Sequence, residues 1–273
     1  MNVAKHIRLP KEINSQGVLQ YFKKWNMTDF FKEHSKTYLK KKTSKELSKL
    51  SKSNLPYGPE LNDLYKLHAL IILNKRLTIL EFGSGWSSLV MAHALQVNKK
   101  RLLNKTLKLR KKNKFELHSL DNEKKFMNIS KKRVKKYLGS YSGANFYYSK
   151  CKMTKFNGRI CSEYEKLPLI NPDFIYLDGP DQQKVKNKIN GITTNYEDMM
   201  PMICDILKIE NFLIPGTIII ADGRTANSIF LKNNFTRNWI YSYDKKNDQN
   251  IFFLNDNSLG PVNDEQKKFY LES

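Results

Sequence analysis

Thr78-Ile79-Leu80-Glu81-Phe82-Gly83-Ser84-Gly85-Trp86-Ser87-Ser88 decides the fold of this chain. A short apolar run, Leu77 to Phe82, has the length and composition of a buried strand, and the residues from Ser87 to Gln96 have helical spacing. Between them Glu81-x-Gly83-x-Gly85 forms a glycine turn. Glycine lets the backbone turn tightly and approach a ligand without Cβ interference. Ser87 and Ser88 then open the helix, where free N–H groups and hydroxyls favour an anionic or carboxylate-bearing group. The turn lacks the third glycine of the dinucleotide fingerprint, which counts against NAD.

Working outward, strand and helix signals alternate. Phe115 to Leu120, Asn145 to Tyr148, Asp173 to Leu177 and Thr217 to Ala221 read as strands. Trp239 to Tyr243 and Ile251 to Leu254 read as a closing hairpin. Asn62–Asn74, Asn122–Tyr137, Tyr196–Glu210 and Asn227–Asn233 read as helices. Such alternation implies an α/β fold: a doubly wound, mostly parallel seven-stranded sheet with a C-terminal antiparallel hairpin. The Pro56-Tyr57-Gly58-Pro59 breaker cluster divides an N-terminal helical extension, 1–56, from the main domain, 57–273. The tail is expected to pack back through Phe269-Tyr270-Leu271.

The chain has 273 residues and a formal charge of +22, which invites an anionic partner such as nucleic acid, a phosphorylated glycan or a membrane surface. Only eight of the 48 basic residues are Arg, whereas a dedicated phosphate-binding surface favours its planar fork. Lys-rich drift of the kind an AT-rich genome writes explains the charge as well. Segment 98–114 is strongly basic and has no acidic residue; it reads either as a solvated helix end or as a docking surface. No stretch approaches the roughly 18 apolar residues of a membrane span. The first ten residues carry no apolar signal region, and Cys151, Cys161 and Cys204 have no paired spacing. A cytoplasmic location with reduced, buried thiols is the expectation. Oligomeric state is not legible.

With its strand, acidic residue and glycine loop, the segment resembles the class I S-adenosylmethionine-dependent methyltransferases. The resemblance covers residues 57 to 256 and implies a Rossmann-like fold and S-adenosylmethionine as cofactor. Glu81, Phe82, Gly83, Ser84 and Gly85 match the positions that hold the methionine part, and Ser87 and Ser88 follow them. The ribose is gripped in that family by an acidic residue ending the second strand; here Asp121 in His118-Ser119-Leu120-Asp121 is the first candidate and Glu123 the second, with Asn122 between them. Its separation from Glu81 is 40 residues, against about 20 in the dinucleotide fold, because segment 98–114 intervenes.

The fourth strand ends in Asp178-Gly179-Pro180-Asp181 and the fifth in Asp222-Gly223-Arg224. Carboxyl ends of parallel strands face the ligand crevice, so Asp178 is expected there, against the cofactor as well as the acceptor. The Asn/Asp-Pro-Pro-aromatic motif of base-amine methyltransferases is absent, and Asp-Gly-Pro-Asp is similar to small-molecule O-methyltransferases. Asp178 is therefore the first candidate for the base that takes the acceptor's proton, with Asp181 or Asp222 second. Asp178 and Asp222 together are candidate ligands for a divalent metal, although Gly223 stands where the catechol-type family has Asn. Arg224 reads as a salt-bridge partner, a loop holder or an anchor for an anionic substrate. The five histidines read as structural. Gln182 to Asn195 is expected to form part of a lid, and Tyr57 and Trp86 either line the pocket or simply pack. The acceptor implied is an oxygen on a small molecule or glycan; the alternatives are an RNA methyltransferase using the basic surface, or a non-catalytic binding protein that keeps the fold.

Overall fold

In the computed structural model, residues 3–32, 58–139 and 143–271 are described. The expectations for Tyr57, for His34 and for the Lys- and Ser-rich stretch 35–53 fall outside them.

The N-terminal segment supplies helix α1 (Ser15–Lys24), whose first turn is capped by the Asn14 side chain accepting from the Gly17 N–H at 2.9 Å. Helix α2 (Leu61–Leu73) is apolar nearly all round and accordingly buried. Strand β1 (Thr78–Phe82) leads through the glycine turn into α3 (Trp86–Leu102). Then come β2 (Glu116–Asp121), α4 (Lys124–Leu138), β3 (Ala144–Tyr148), β4 (Cys151–Phe156), β5 (Arg159–Tyr164) and β6 (Phe174–Leu177). The remainder is β7 (Val185–Lys186), α5 (Asp205–Ile209), β8 (Ile218–Asp222), α6 (Thr225–Asn234), β9 (Trp239–Asp244), β10 (Gln249–Leu254) and α7 (Pro261–Leu271).

Seven strands form one sheet in the order β3-β2-β1-β6-β8-β10-β9. The first five are mutually parallel, while β10 is antiparallel to both its neighbours. The doubly wound reading of the sequence is thus borne out, hairpin included. The interior position of β10 follows from its residues: Ile251, Phe252, Phe253 and Leu254 are all buried, as a strand covered on both faces requires. Strand β9 buries only Ile240, its other residues being partly or well exposed, and takes the edge. No helix among the described residues is long and apolar enough to cross a membrane.

The structure adds a second sheet that the sequence reading lacks, ordered β5-β4-β7. Its hairpin turns at Asn157-Gly158, both at positive φ (47° and 78°), which is the two-residue turn that Asn-Gly encodes. The helix expected over Tyr196–Glu210 is cut to Asp205–Ile209. Pro201 lacks the N–H a helix interior needs, and the chain beside it is used by the second sheet: Ser162 N–H donates to the Met202 carbonyl and Cys204 N–H to the Ser162 carbonyl.

The opposite ends of the strands are closed by a buried polar knot. Fully buried Asp173 accepts from the backbone N–H groups of Leu77 and Thr78, from Tyr270 Oη at 2.8 Å, and lies 3.2 Å from Lys111 Nζ. Arg76 lies over the Tyr270 ring at 4.6 Å. Phe269 and Tyr270 are buried here as the tail reading expects, while Leu271 is exposed. The same knot fixes the basic segment 98–114 at the N-terminal ends of the strands, since Thr78 donates to the Asn113 carbonyl there. That end is remote from the ligand crevice of a parallel sheet.

Candidate active site at the carboxyl ends of the strands

Gly83 has φ +88°, and a Cβ on it would lie 2.8 Å from the Gly179 nitrogen. A Cβ on Gly179 would in turn lie 2.5 Å from Gly83 Cα. The two loops leaving β1 and β6 press backbone to backbone, so Gly83 is demanded by packing against Gly179. At Gly85 a Cβ would meet only Ser87 Oγ, at 3.6 Å, which leaves an open face for a ligand.

Glu81 is fully buried and faces the helix start. Ser87 Oγ donates to one of its oxygens at 2.5 Å and Ser88 Oγ to the other at 2.6 Å. Burial pushes its carboxyl up to about 8; hydrogen bonds from Ser119, Ser87 and Ser88 oppose the shift and the Asp178 charge adds to it. Phe82 is buried against the ring of Tyr164 at 5.8 Å and reaches no crevice. Asp121, at the end of β2, accepts the Ser84 N–H at 2.8 Å and Ser84 Oγ at 2.5 Å on one oxygen, and the Glu123 N–H at 2.7 Å on the other. Burial raises its affinity for a proton, and those bonds counter it. Asn122 is buried, and its amide exchanges two hydrogen bonds with the backbone of Asp181. Asp181 itself caps the turn Gln182–Lys184 by accepting the Gln183 N–H at 2.9 Å.

Asp178 and Asp222 end the adjacent strands β6 and β8. The Asp178 side chain is 56% exposed. Desolvation there raises it to about 6, Arg224 opposing and Asp121 and Glu60 reinforcing. Arg224 holds the loop, donating through Nη2 to the carbonyls of Asp178 and Pro180. Its Nε is 3.9 Å from Asp178 Oδ1, a loose ion pair. Asp222 accepts from Tyr176 Oη at 3.0 Å and is raised well above the carboxylate range by burial, then by the charges of Asp63 and Asp178.

Two members of this cluster are absent from the sequence reading. Glu60 and Asp63, at the start of α2, stand within electrostatic reach of Asp222; burial and a hydrogen bond to Glu60 push Asp63 up to about 7. Their signal is the acidic helix start directly after the breaker cluster. The mouth therefore gathers Glu60, Asp63, Asp178 and Asp222 in a chain whose net charge is +22. Asp222 spends an oxygen on Tyr176, and among the described residues no three His, Cys, Asp or Glu side chains converge as metal ligands. Trp86 packs on Phe31 and under the Arg133 guanidinium at 3.8 Å, which is ordinary packing. His68 and His93 are joined at 2.9 Å, and His118 lies between Tyr147 and Glu116, so the described histidines on α2, α3 and β2 are structural. The expected lid is tied down in part, since Val185 and Lys186 pair with β4.

No family model and no curated protein matches this chain. Among solved structures it is similar to cofactor-bound Rv0187 from MTB, at 10% identity and a TM-score of 0.42, over 78% of this chain and 88% of that one. It is also similar to an O-methyltransferase from Bacillus cereus in complex with SAH, at 13% identity and a TM-score of 0.41, over 86% and 100%. Likeness at this level carries no argument about chemistry, which rests on the site itself.

Proposed function

We propose that the chain is an S-adenosylmethionine-dependent methyltransferase acting on an oxygen of a small molecule or glycan. The observation that supports this most is the meeting of three elements at the carboxyl ends of β1, β2 and β6: the open face at Gly85, Asp121 beside Ser84, and the solvent-reaching carboxylate of Asp178. Gly85, Ser84 and Asp121 would hold the cofactor, with Glu81 behind them fixing the loop to the helix. Asn122 acts one step removed, by docking the loop that carries Asp178.

Bound there, the cofactor supplies an electrophilic methyl group. What remains for the protein is to align the acceptor and remove its proton. Asp178 suits proton removal, because at about 6 it is mostly ionised near neutral pH and still basic enough to accept. Asp222 suits it less, since burial and its acidic neighbours favour the protonated form and Tyr176 already donates to it. Arg224 keeps the Asp178 loop in place by its two carbonyl contacts.

Calorimetric titration with S-adenosylhomocysteine tests the cofactor assignment, with a micromolar dissociation constant expected. Absence of heat at millimolar ligand would overturn it. A transfer screen over phenols, sugars, carboxylates and RNA, with and without chelator, then tests the acceptor class. Transfer confined to RNA would replace the oxygen-acceptor reading with the nucleic-acid one.

A further inference from the structure

Nine of the 17 residues from 98 to 114 are Lys or Arg, three times the chain's average, so composition alone does not account for them. Lys111 and Lys114 are used inside the protein, against Asp173 at 3.2 Å and the Thr106 carbonyl at 2.6 Å. The other seven are exposed and pair with no described acidic residue. The segment is anchored from beneath: Leu102 and Leu109 are buried with Leu77, Phe115, Phe269 and Tyr270, and Thr106 is buried as well. Leu103 and Leu107 are not part of that anchor, being 46% and 70% exposed.

Two more apolar side chains stand on the same rim. Lys111 Nζ donates to the Asn171 carbonyl at 2.8 Å, and Asn171 Nδ2 donates to the Phe212 carbonyl at 2.7 Å. These bonds join the basic segment to the loop before β6 and to the turn Glu210–Phe212. On that loop Leu169 is fully exposed, and Phe212 is 75% exposed. Helix α7 flanks the segment, its Gln266 donating to the Arg110 carbonyl at 3.2 Å, and brings Asp264 and Glu265. Glu265 is paired with Lys268 at 3.4 Å, so the rim keeps a large positive excess.

One exposed leucine needs no explanation, whereas four large apolar side chains among seven free cations describe a particular solvent. Aliphatic side chains neither stack on bases nor bond phosphates, so they are surplus to a nucleic-acid surface. A second copy of the same rim would bring like charges together. The headgroup region of an anionic bilayer satisfies both features: the cations meet lipid phosphates and carboxylates while the apolar side chains enter the acyl boundary.

We propose that this rim, at the N-terminal ends of the strands, docks the protein on a bilayer rich in anionic lipid. Leu103, Leu107, Leu169 and Phe212 enter the boundary, and the candidate site at the opposite ends of the strands faces the aqueous phase. The surface stands on its own residues and does not require that the chain transfer methyl groups.

Sedimentation of the full chain with phosphatidylcholine vesicles, with and without about 30% phosphatidylserine, tests the proposal. The anionic vesicles are expected to bind at least about tenfold more tightly, less so as salt screens the charges. A Leu107→Ser/Leu169→Ser/Phe212→Ser variant is expected to lose about tenfold of that affinity with an unchanged unfolding midpoint, because all three side chains are already exposed. A Lys105→Gln/Lys108→Gln/Lys112→Gln variant is expected to lose the preference for phosphatidylserine. No binding to either vesicle overturns the proposal, as does equal binding to both. Full vesicle affinity in the serine variant overturns the insertion of these side chains and leaves only a charged surface. Single-stranded RNA that displaces the parent from anionic vesicles, and binds the serine variant as tightly as the parent, overturns the membrane in favour of nucleic acid.

Discussion

Asn122 and Asp181 exchange a closed pair of hydrogen bonds: the Asn122 amide donates to the Asp181 carbonyl and accepts the Asp181 N–H, each at 2.9 Å. The pair fastens the loop after β6 to the loop after β2, and so sets where Asp178 stands. Asn122→Ala would leave a buried N–H and carbonyl unpaired, at about 1–3 kcal/mol. We expect a lowered unfolding midpoint, with faster amide exchange at Asp181 and Gln183. Unchanged exchange at those two amides would show that the loop is held by other contacts.

The two loop glycines are expected to respond differently. At Gly83 a methyl group meets the Gly179 backbone at positive φ, so Gly83→Ala should cost about 3 kcal/mol or more and yield little folded protein. Gly85→Ala has room and an extended φ of −164°, so stability should change by less than about 1 kcal/mol. If Gly85 faces the cofactor, that variant loses affinity for S-adenosylhomocysteine while melting normally. Unaltered affinity would place the ligand elsewhere.

Stability should fall as pH rises from about 6.5 to 8. Burial raises Glu81 from 4.5, and Asp205 from 3.8, to about 8 in each case. The folded chain therefore holds protons that the unfolded chain has already released, and the stability this contributes is complete below the unfolded values and lost on the way to 8. Over that interval each group contributes at most about 2 kcal/mol. Glu81→Gln keeps the side chain's shape and should make chemical-denaturation stability fall less steeply with pH, by up to about 1.4 kcal/mol per pH unit. An unchanged slope would mean that Glu81 is ionised in the folded chain.

Acid acts on a different pair. Tyr21 Oη, His68 and His93 form a chain with contacts of 2.7 and 2.9 Å, and burial lowers His93 to about 4 and His68 well below its usual range. Depressed histidines hold fewer protons folded than unfolded, so their contribution is present above 6.5 and lost as pH falls toward 4. The rising affinity of buried carboxyls works against this below 6.5. Replacing His93 by Gln should therefore reduce acid sensitivity in that window specifically, as followed by unfolding midpoints at stepped pH.

For catalysis, Asp178→Asn should lower methyl transfer by about 10²–10⁴-fold while S-adenosylhomocysteine still binds. The parent rate should rise with pH through about 6, where Asp178 loses its proton. Full activity in the variant would remove Asp178 as the base.

Much of the fold is legible in the residues. The unbroken apolar runs at β1, β6 and β8 and the glycine turn after β1 announce a parallel sheet, because a strand buried on both faces leaves no room for polar alternation. The Asn157-Gly158 turn is an equally local signal for the small sheet it starts. The stretch before Asp205 misleads because the helical spacing of Met199, Met200 and Ile203 outweighs Pro201, whereas the backbone there is claimed by Ser162, some 40 residues away.

The sequence by itself determined the order of strands and helices, the glycine loop, and carboxylates at the ends of β2, β6 and β8. These follow from periodicity and turn chemistry, which act over a few residues. Only the tertiary structure decided what each group faces: Glu81 toward Ser87 and Ser88, Asn122 and Asp181 toward each other, Gly83 against Gly179, and Glu60 and Asp63 beside Asp222. Desolvation and pairing depend on neighbours distant in the chain, and a proton's affinity for a carboxylate is set by them.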